Sequence, residues 1–211
     1  MAEERRDDRT DEVVIVGGVA VAVSSIPQRG PIPLDDFIAL MQRDIERVTR
    51  RAAAGEVTIM QWEAEMRRIV KSAHNGAAMF ARQGQRMNIF ERLYEWARRQ
   101  ERIRDQFGYL EAFANEIRGG VFDESSMLGR LVSRAQQYGN AARGSYFEVK
   151  NRLAIARGLT EKRRMLEPGA KHCQSCLEQA ALEWVDINDP RVTGIGETQC
   201  GANDKCDIVY R

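Results

Sequence analysis

Every cysteine of this chain lies between residues 173 and 206 of 211. Cys173 and Cys176 form a C-x2-C pair; 23 residues later, Cys200 and Cys206 form a C-x5-C pair. A C-x2-C turn lets two thiolates converge on one ion without straining the backbone. A second pair, returned by an intervening loop, completes a tetrahedron. Zinc suits four thiolates because it is borderline-soft and has no d-electron preference for geometry. The second spacing is wider than the usual two to four residues, and two disulfides satisfy the same count. The rest of the chain reads as intracellular, which favours the metal. The expectation is a structural zinc on Cys173, Cys176, Cys200 and Cys206, holding together a small unit with little core of its own.

Charge sets further bounds. There are 32 basic and 31 acidic residues, a net charge of +1, which argues against strong nucleic-acid binding by the chain as a whole. The balance hides an asymmetry. Residues 1–12 carry six acids and three arginines, residues 118–164 ten bases and four acids, and residues 167–211 eight acids and four bases. A basic middle between acidic ends suits docking of copies on one another, contact with a phosphate backbone, or simply a solvated helix face. The longest apolar run, residues 13–23, is too short to cross a bilayer. Six acids surround the arginines that precede it, where a secretory signal wants positive charge.

Three regions follow from the pattern. Residues 1–33 read as an extended N-terminal arm and linker. A charged tail (1–12) precedes a Val/Ile-rich stretch split by Gly17-Gly18, which suits two short strands or one bent arm. Residues 26–33 hold three prolines and read as extended. Such an apolar strand needs an edge to pair with, in its own chain or in a neighbouring copy.

Residues 34–167 read as a long-helix bundle, so the fold class is mainly α. In the first helix Phe37, Met41, Ile45, Val48 and Ala52 share one face. Thr58 caps a second, striped by Ile59, Trp62, Met66, Ile69 and Ala73, with Asn75-Gly76 as a candidate interruption. A third starts near Asn88 with Ile89, Leu93, Trp96 and Ile103 turned inward, a candidate kink at Gly108, and Leu110, Phe113 and Ile117 beyond it. A fourth spans residues 124–157, roughly 50 Å if unbroken. Gly139 and Gly144 mark a bend or a close helix crossing within it. Residues 160–167 read as a short basic helix. Residues 168–211 form the small cysteine-rich unit.

Catalytic patterns are scarce. The chain has two histidines, His74 and His172. His74 reads as a surface or packing residue. His172 adjoins Cys173 and suits an alternate ligand or a hydrogen-bond partner to the metal shell. No H-E-x-x-H, Walker or kinase pattern occurs, and Gly194-x-Gly196 lacks the third glycine of a dinucleotide fingerprint. The expectation is a non-enzymatic protein. Arg152, Arg157, Lys162, Arg163 and Arg164, close to the cysteines, are candidate phosphate or partner contacts. With the rest of the basic stretch 118–164 they motivate an alternative reading as a zinc-containing helical nucleic-acid-binding module with weak DNA contact.

Five stretches in order carry a resemblance: residues 55–62 (GEVTIMQW), 106–119 (QFGYLEAFANEIRG), 134–146 (RAQQYGNAARGSY), 161–176 (EKRRMLEPGAKHCQSC) and 196–211 (GETQCGANDKCDIVYR). Together they resemble the phage minor head proteins of the Mu F-like, or head-morphogenesis, group. That group tends to show an E-x-R-x-L segment before H-C-x-x-C and a closing C-x-x-N-C-R-C. Here Glu161, Arg163 and, displaced by one, Leu166 match the first; His172, Cys173 and Cys176 match the second; Cys200, Asn203, Lys205 and Cys206 match the third. Asp204 stands where the group has its middle cysteine, leaving four cysteines and raising the question whether Asp204 enters the metal shell. The resemblance covers about three-quarters of the chain and leaves out the arm. It implies a virion structural protein, made in the host cytoplasm and acting in head assembly. Its implied partners are other copies of itself and the major capsid or portal protein, with no membrane involved.

Overall fold

A computed structural model describes residues 13–16, 19–22, 34–85, 87–122, 127–167, 170–194 and 197–211. The charged tail at 1–12 and the proline-rich linker at 26–33 lie outside these residues. Within the arm, β1 (Val13–Val16) and β2 (Val19–Ala22) pair antiparallel, with Val14 opposite Val21. Of the two forms open to this stretch, the chain adopts the pair of strands.

The body is helical. α1 (Leu34–Ala53) turns Phe37, Ile38, Met41, Ile45 and Val48 inward, as its periodicity predicts. α2 (Ile59–Arg82) starts at a capping box: Gln61 N donates to Thr58 Oγ1, and Thr58 N donates to Gln61 Oε1 at 2.8 Å. It runs unbroken through Asn75-Gly76. A Cβ at residue 76 would lie 2.4 Å from Phe37 Cζ, so the glycine is where α1 crosses closest. Ala73, Ala77, Ala78 and Ala81 continue this small-residue surface and let α1 and α5 pack on it.

α3 (Ile89–Arg118) passes Gly108 without a break. Its second half buries Leu110 and Phe113 against Trp62, Met66 and Tyr138, and Ile103 is buried as well; the Trp62 indole donates to Thr49 Oγ1 at 3.2 Å. Its first half corrects the expectation. Ile89, Leu93 and Trp96 are 60%, 56% and 55% exposed, while Glu95 is the residue turned inward, at 2%. Arg82 of α2 and Arg99 hold the Glu95 carboxylate from both sides. Paired charge, rather than apolar area, fixes this half-helix to the body.

The long fourth helix is two. α4 (Leu128–Asn140) packs on α1, and α5 (Ala142–Ala156) packs mainly on α2. The break falls at Ala141, whose carbonyl accepts from Gly144 N at 3.1 Å in a tight turn. Gly139 provides the close crossing: a Cβ there would meet Gln42 Cγ of α1 at 3.1 Å.

Residues 160–167 do not form a helix. β3 (Glu161–Met165) is the central strand of an antiparallel sheet in the order β4-β3-β5, with β4 at Val185–Asp186 and β5 at Asp207–Tyr210. A basic run makes a poor strand alone, but two distant segments supply hydrogen-bond partners on both edges. Register places Arg164 opposite Ile208 and Lys162 between Val185 and Tyr210. The central strand of the cysteine-rich unit thus comes from a segment assigned by sequence to the helical region. Phe147 of α5 packs on Cys176, Cys206 and Ile208, joining the unit to the body.

Candidate metal centre

The C-x2-C pair sits at the start of α6 (Gln174–Ala181). Cys173 is the residue before the helix, with extended backbone, and its carbonyl accepts from Cys176 N at 3.1 Å and Leu177 N at 3.2 Å. Both sulfurs therefore lie at a helix N-terminus, where free N–H groups favour a thiolate. Cys200 opens a short 3-10 turn (Gly201–Asn203), and its carbonyl accepts from Asn203 N at 3.0 Å. Gly201, at φ +51°, makes that turn. Cys206 immediately precedes β5. Ser175 Oγ accepts from Gln199 N at 3.2 Å and tethers the two cysteine loops to each other.

All four cysteines are free thiols. The sulfurs of Cys173, Cys176 and Cys200 lie within 4.8 Å of one another, and Cys176 also groups with Cys206 and Asp204. Cys176 and Cys200 are 3.8 Å apart. An ion bound tetrahedrally to sulfurs at about 2.3 Å sets neighbouring sulfurs about 3.8 Å apart, so this edge already has ligand spacing. The cluster can bind a metal ion, with Cys176 as its buried hub.

The protonation pattern agrees. Burial opposes ionisation of Cys173, but hydrogen bonds from Cys200, Ser175 and Cys176 outweigh it and hold the thiol down at about 6. Burial pushes the Cys176 thiol up, helped by its neighbour Cys173 and the Asp204 charge. The hydrogen bond to Cys173, then burial, raises Cys200. Cys173 thus gives up its proton most readily, and Cys176 and Cys200 less readily than a free thiol; a bound cation would favour the thiolate at each.

Two residues were open as ligands or supporting partners. Asp204 is fully committed elsewhere: Oδ1 accepts from Arg164 and from Cys206 N, and Oδ2 accepts from Arg164 at 2.9 Å and from Thr198 Oγ1 at 3.1 Å. It supports the cluster from behind. His172 Nδ1 lies 3.6 Å from the Cys206 sulfur, beside the cluster.

The basic candidates separate. Arg164 cannot contact phosphate in solution. It is fully buried, donating Nε to Gln179 Oε1 at 2.8 Å and Nη2 to the Thr193 carbonyl at 3.0 Å, with Nη1 on Asp204 and 3.9 Å from the Cys176 sulfur. It was placed outside because a run of bases reads as a surface; strand alternation turns every second member inward. Arg152 lies over the Tyr94 ring at 3.4 Å. Lys162 is half-buried, and its desolvation keeps its ammonium below the usual lysine range. Arg163 is also half-buried, leaving Arg157 exposed. Sequence reasoning missed Gln179, three residues after Cys176 on α6. It accepts from Arg164 and donates to Thr193 Oγ1 at 2.9 Å. The helical i, i+3 spacing from a ligand cysteine was its only signal.

Comparison with protein families, with curated proteins and with solved structures finds no match for this chain. Among the described residues, no helix is long and apolar enough to cross a membrane.

Proposed function

We propose that this chain is a structural protein of a phage virion, a minor head or capsid-associated protein acting in head assembly. It works without catalysis, through contacts with copies of itself and with the major capsid or portal protein. The ion of its C-terminal unit is zinc, in a purely structural role, since four thiolates close the coordination shell. One observation carries the reading. The two cysteine pieces that carry the resemblance, 23 residues apart in sequence, converge on Cys176. They do so against Phe147, on the face of a helical body. A metal clamp of this kind stiffens a contact surface that has too little core to stiffen itself.

The test is co-assembly. The chain is co-expressed with a phage major capsid protein and a portal protein, the particles are sedimented, and their protein content is measured by mass spectrometry. Incorporation at a fixed ratio to portal or capsid protein is expected. Particles that form normally and leave the chain in the supernatant would sink the reading.

The nucleic-acid alternative has lost most of its footing. Of its five candidate contacts, Arg164 is buried, Arg152 is stacked on Tyr94, and Lys162 and Arg163 are half-buried. Duplex binding at low salt that weakens steeply as salt rises would revive it.

A further inference from the structure

The first half of α3 is inside out. Its charged side faces the body, where Arg82 and Arg99 hold the buried Glu95, and Arg98 and Arg102 reach Glu148 of α5 at 3.3 and 2.8 Å. Its apolar side faces water: Ile89, Phe90, Leu93 and Trp96 are all more than half exposed, Phe90 at 78%. Large apolar side chains grouped in this way mark a surface that something covers.

The same chain carries a second apolar element, whose first strand lies near α2 of its own body. The strands β1 and β2 read VVIV and VAVA, with no polar residue in either. A two-stranded ribbon has two faces, and by composition both are apolar here. An isolated hairpin is at best marginally stable in water without packing.

Charge decides between this hairpin and another α3 as the occupant. Three acids of this stretch are engaged: Glu91 accepts from Asn88 N at 2.8 Å, Glu95 is buried, and Glu101 pairs with Arg98; Asp105 is exposed, on the side of the helix away from the stripe. Arg92 and Arg104 stand exposed beside the apolar stripe. Packing α3 on α3 would bring these arginines together. The hairpin instead follows a segment with six acids in its first twelve residues, Asp11 and Glu12 directly before Val13. Residues 23–33 join the hairpin to α1 and span at most roughly 40 Å, enough to cross to an adjacent molecule. Among the described residues, nothing of the same chain covers the stripe.

We propose that the N-terminal hairpin of a second copy docks on the outward face of the first half of α3, its acidic leader against Arg92 and Arg104. The inference rests on the assembly reading only in that copies must meet. Failure to enter particles would leave it standing, and its own failure would leave particle entry untouched.

The test uses the full chain with Phe90→p-benzoyl-phenylalanine. Equal amounts of ordinary and ¹⁵N-labelled protein are mixed, irradiated and digested with trypsin. Cross-links are expected from residue 90 of one isotope to the tryptic peptide 10–29 of the other. Links confined to one isotope would mean that each arm covers its own chain, and links to α3 of the other isotope would mean α3–α3 packing. Either result overturns the proposal, as does an irradiated protein that stays monomeric and unlinked. In sedimentation, Leu93→Glu and the double variant Val14→Glu/Val21→Glu should each weaken self-association at least tenfold. Leu93 is exposed and Val14 and Val21 lie in strands rather than in a helix, so helical circular dichroism should hold; unchanged association in both variants overturns the proposal.

Discussion

Arg164 and Asp204 face each other at the centre of the C-terminal unit, 2.9 Å apart and wholly shielded from solvent. Forty residues separate them in sequence, yet each satisfies the other while bracing the cysteine loops. Removing one partner of a buried pair leaves the other charged and dry, at a cost of about 3–5 kcal/mol. Arg164→Met should therefore unfold the C-terminal unit and spare the bundle. Amide exchange is the measurement: β3, β4 and β5 should lose protection while α1 and α2 keep theirs. Uniform protection would show that the pair is dispensable.

Cys176 belongs to both sulfur groups, so it should be the least replaceable of the four. Purified protein is expected to carry a stoichiometric metal and to release four thiols under denaturation with chelator. Cys176→Ser should lose the metal and keep the helical circular dichroism signal. Metal-free protein with no titratable thiols would mean two disulfides and would overturn the metal site.

His74 is buried in the bundle, its Nδ1 2.8 Å from Ser145 Oγ and its Nε2 without a partner among the described residues. Burial first, then the charges of Arg102 and Arg99, hold its imidazole down at about 4. The unfolded chain takes up that proton near pH 6.5. Between the two values the unfolded state binds more protons than the folded one. This contribution is therefore complete above about pH 6.5 and is lost as pH falls toward 4, up to about 3 kcal/mol over the span. His74→Gln keeps a hydrogen-bonding side chain and removes the titration. The urea midpoint of the native protein should fall relative to that of His74→Gln as pH drops from about 6.5 toward 4. A constant difference would show that His74 titrates normally.

Gly76 offers a packing test. A Cβ there would sit 2.4 Å from Phe37 Cζ, and the Phe37 ring is backed by Phe80 with centroids 4.9 Å apart. Overpacking of this kind costs about 1–3 kcal/mol. Gly76→Ala should lower the thermal midpoint, and adding Phe37→Leu should recover part of the loss, since it removes the atom in the way. Additive losses in the double variant would place the cause elsewhere.

What could be read from the sequence divides along physical lines. The stripes of α1 and α2 were legible because each helix buries one apolar face against others, which is what a 3.6-residue period reports. The cysteine cluster was legible from spacing. The first half of α3 was misread because periodicity finds the apolar face without saying which way it points: Glu95, not Leu93, faces the body. β3 was misread because its strand character belongs to its partners. Nothing in EKRRM alternates in polarity, and only β4 and β5 on either edge make it a strand. Arg164 was misplaced for the same reason.

The two halves of α3 are fastened to the molecule by different forces. From Phe107 onward the helix is clamped mainly by apolar contact that salt does not loosen, with Arg118–Glu63 and Glu116–Arg134 added at its end. Before it, the grip is ionic, through Arg82–Glu95, Arg98–Glu148 and Arg102, which also reaches Glu197 of the C-terminal unit. Ionic ties weaken as the screening length shortens, the outer ones first. The helix is therefore a lever with one end set in oil and the other held by a latch that answers to ionic strength. Loosening that latch would let the exposed aromatic face move while Leu110 and Phe113 stay seated in the core.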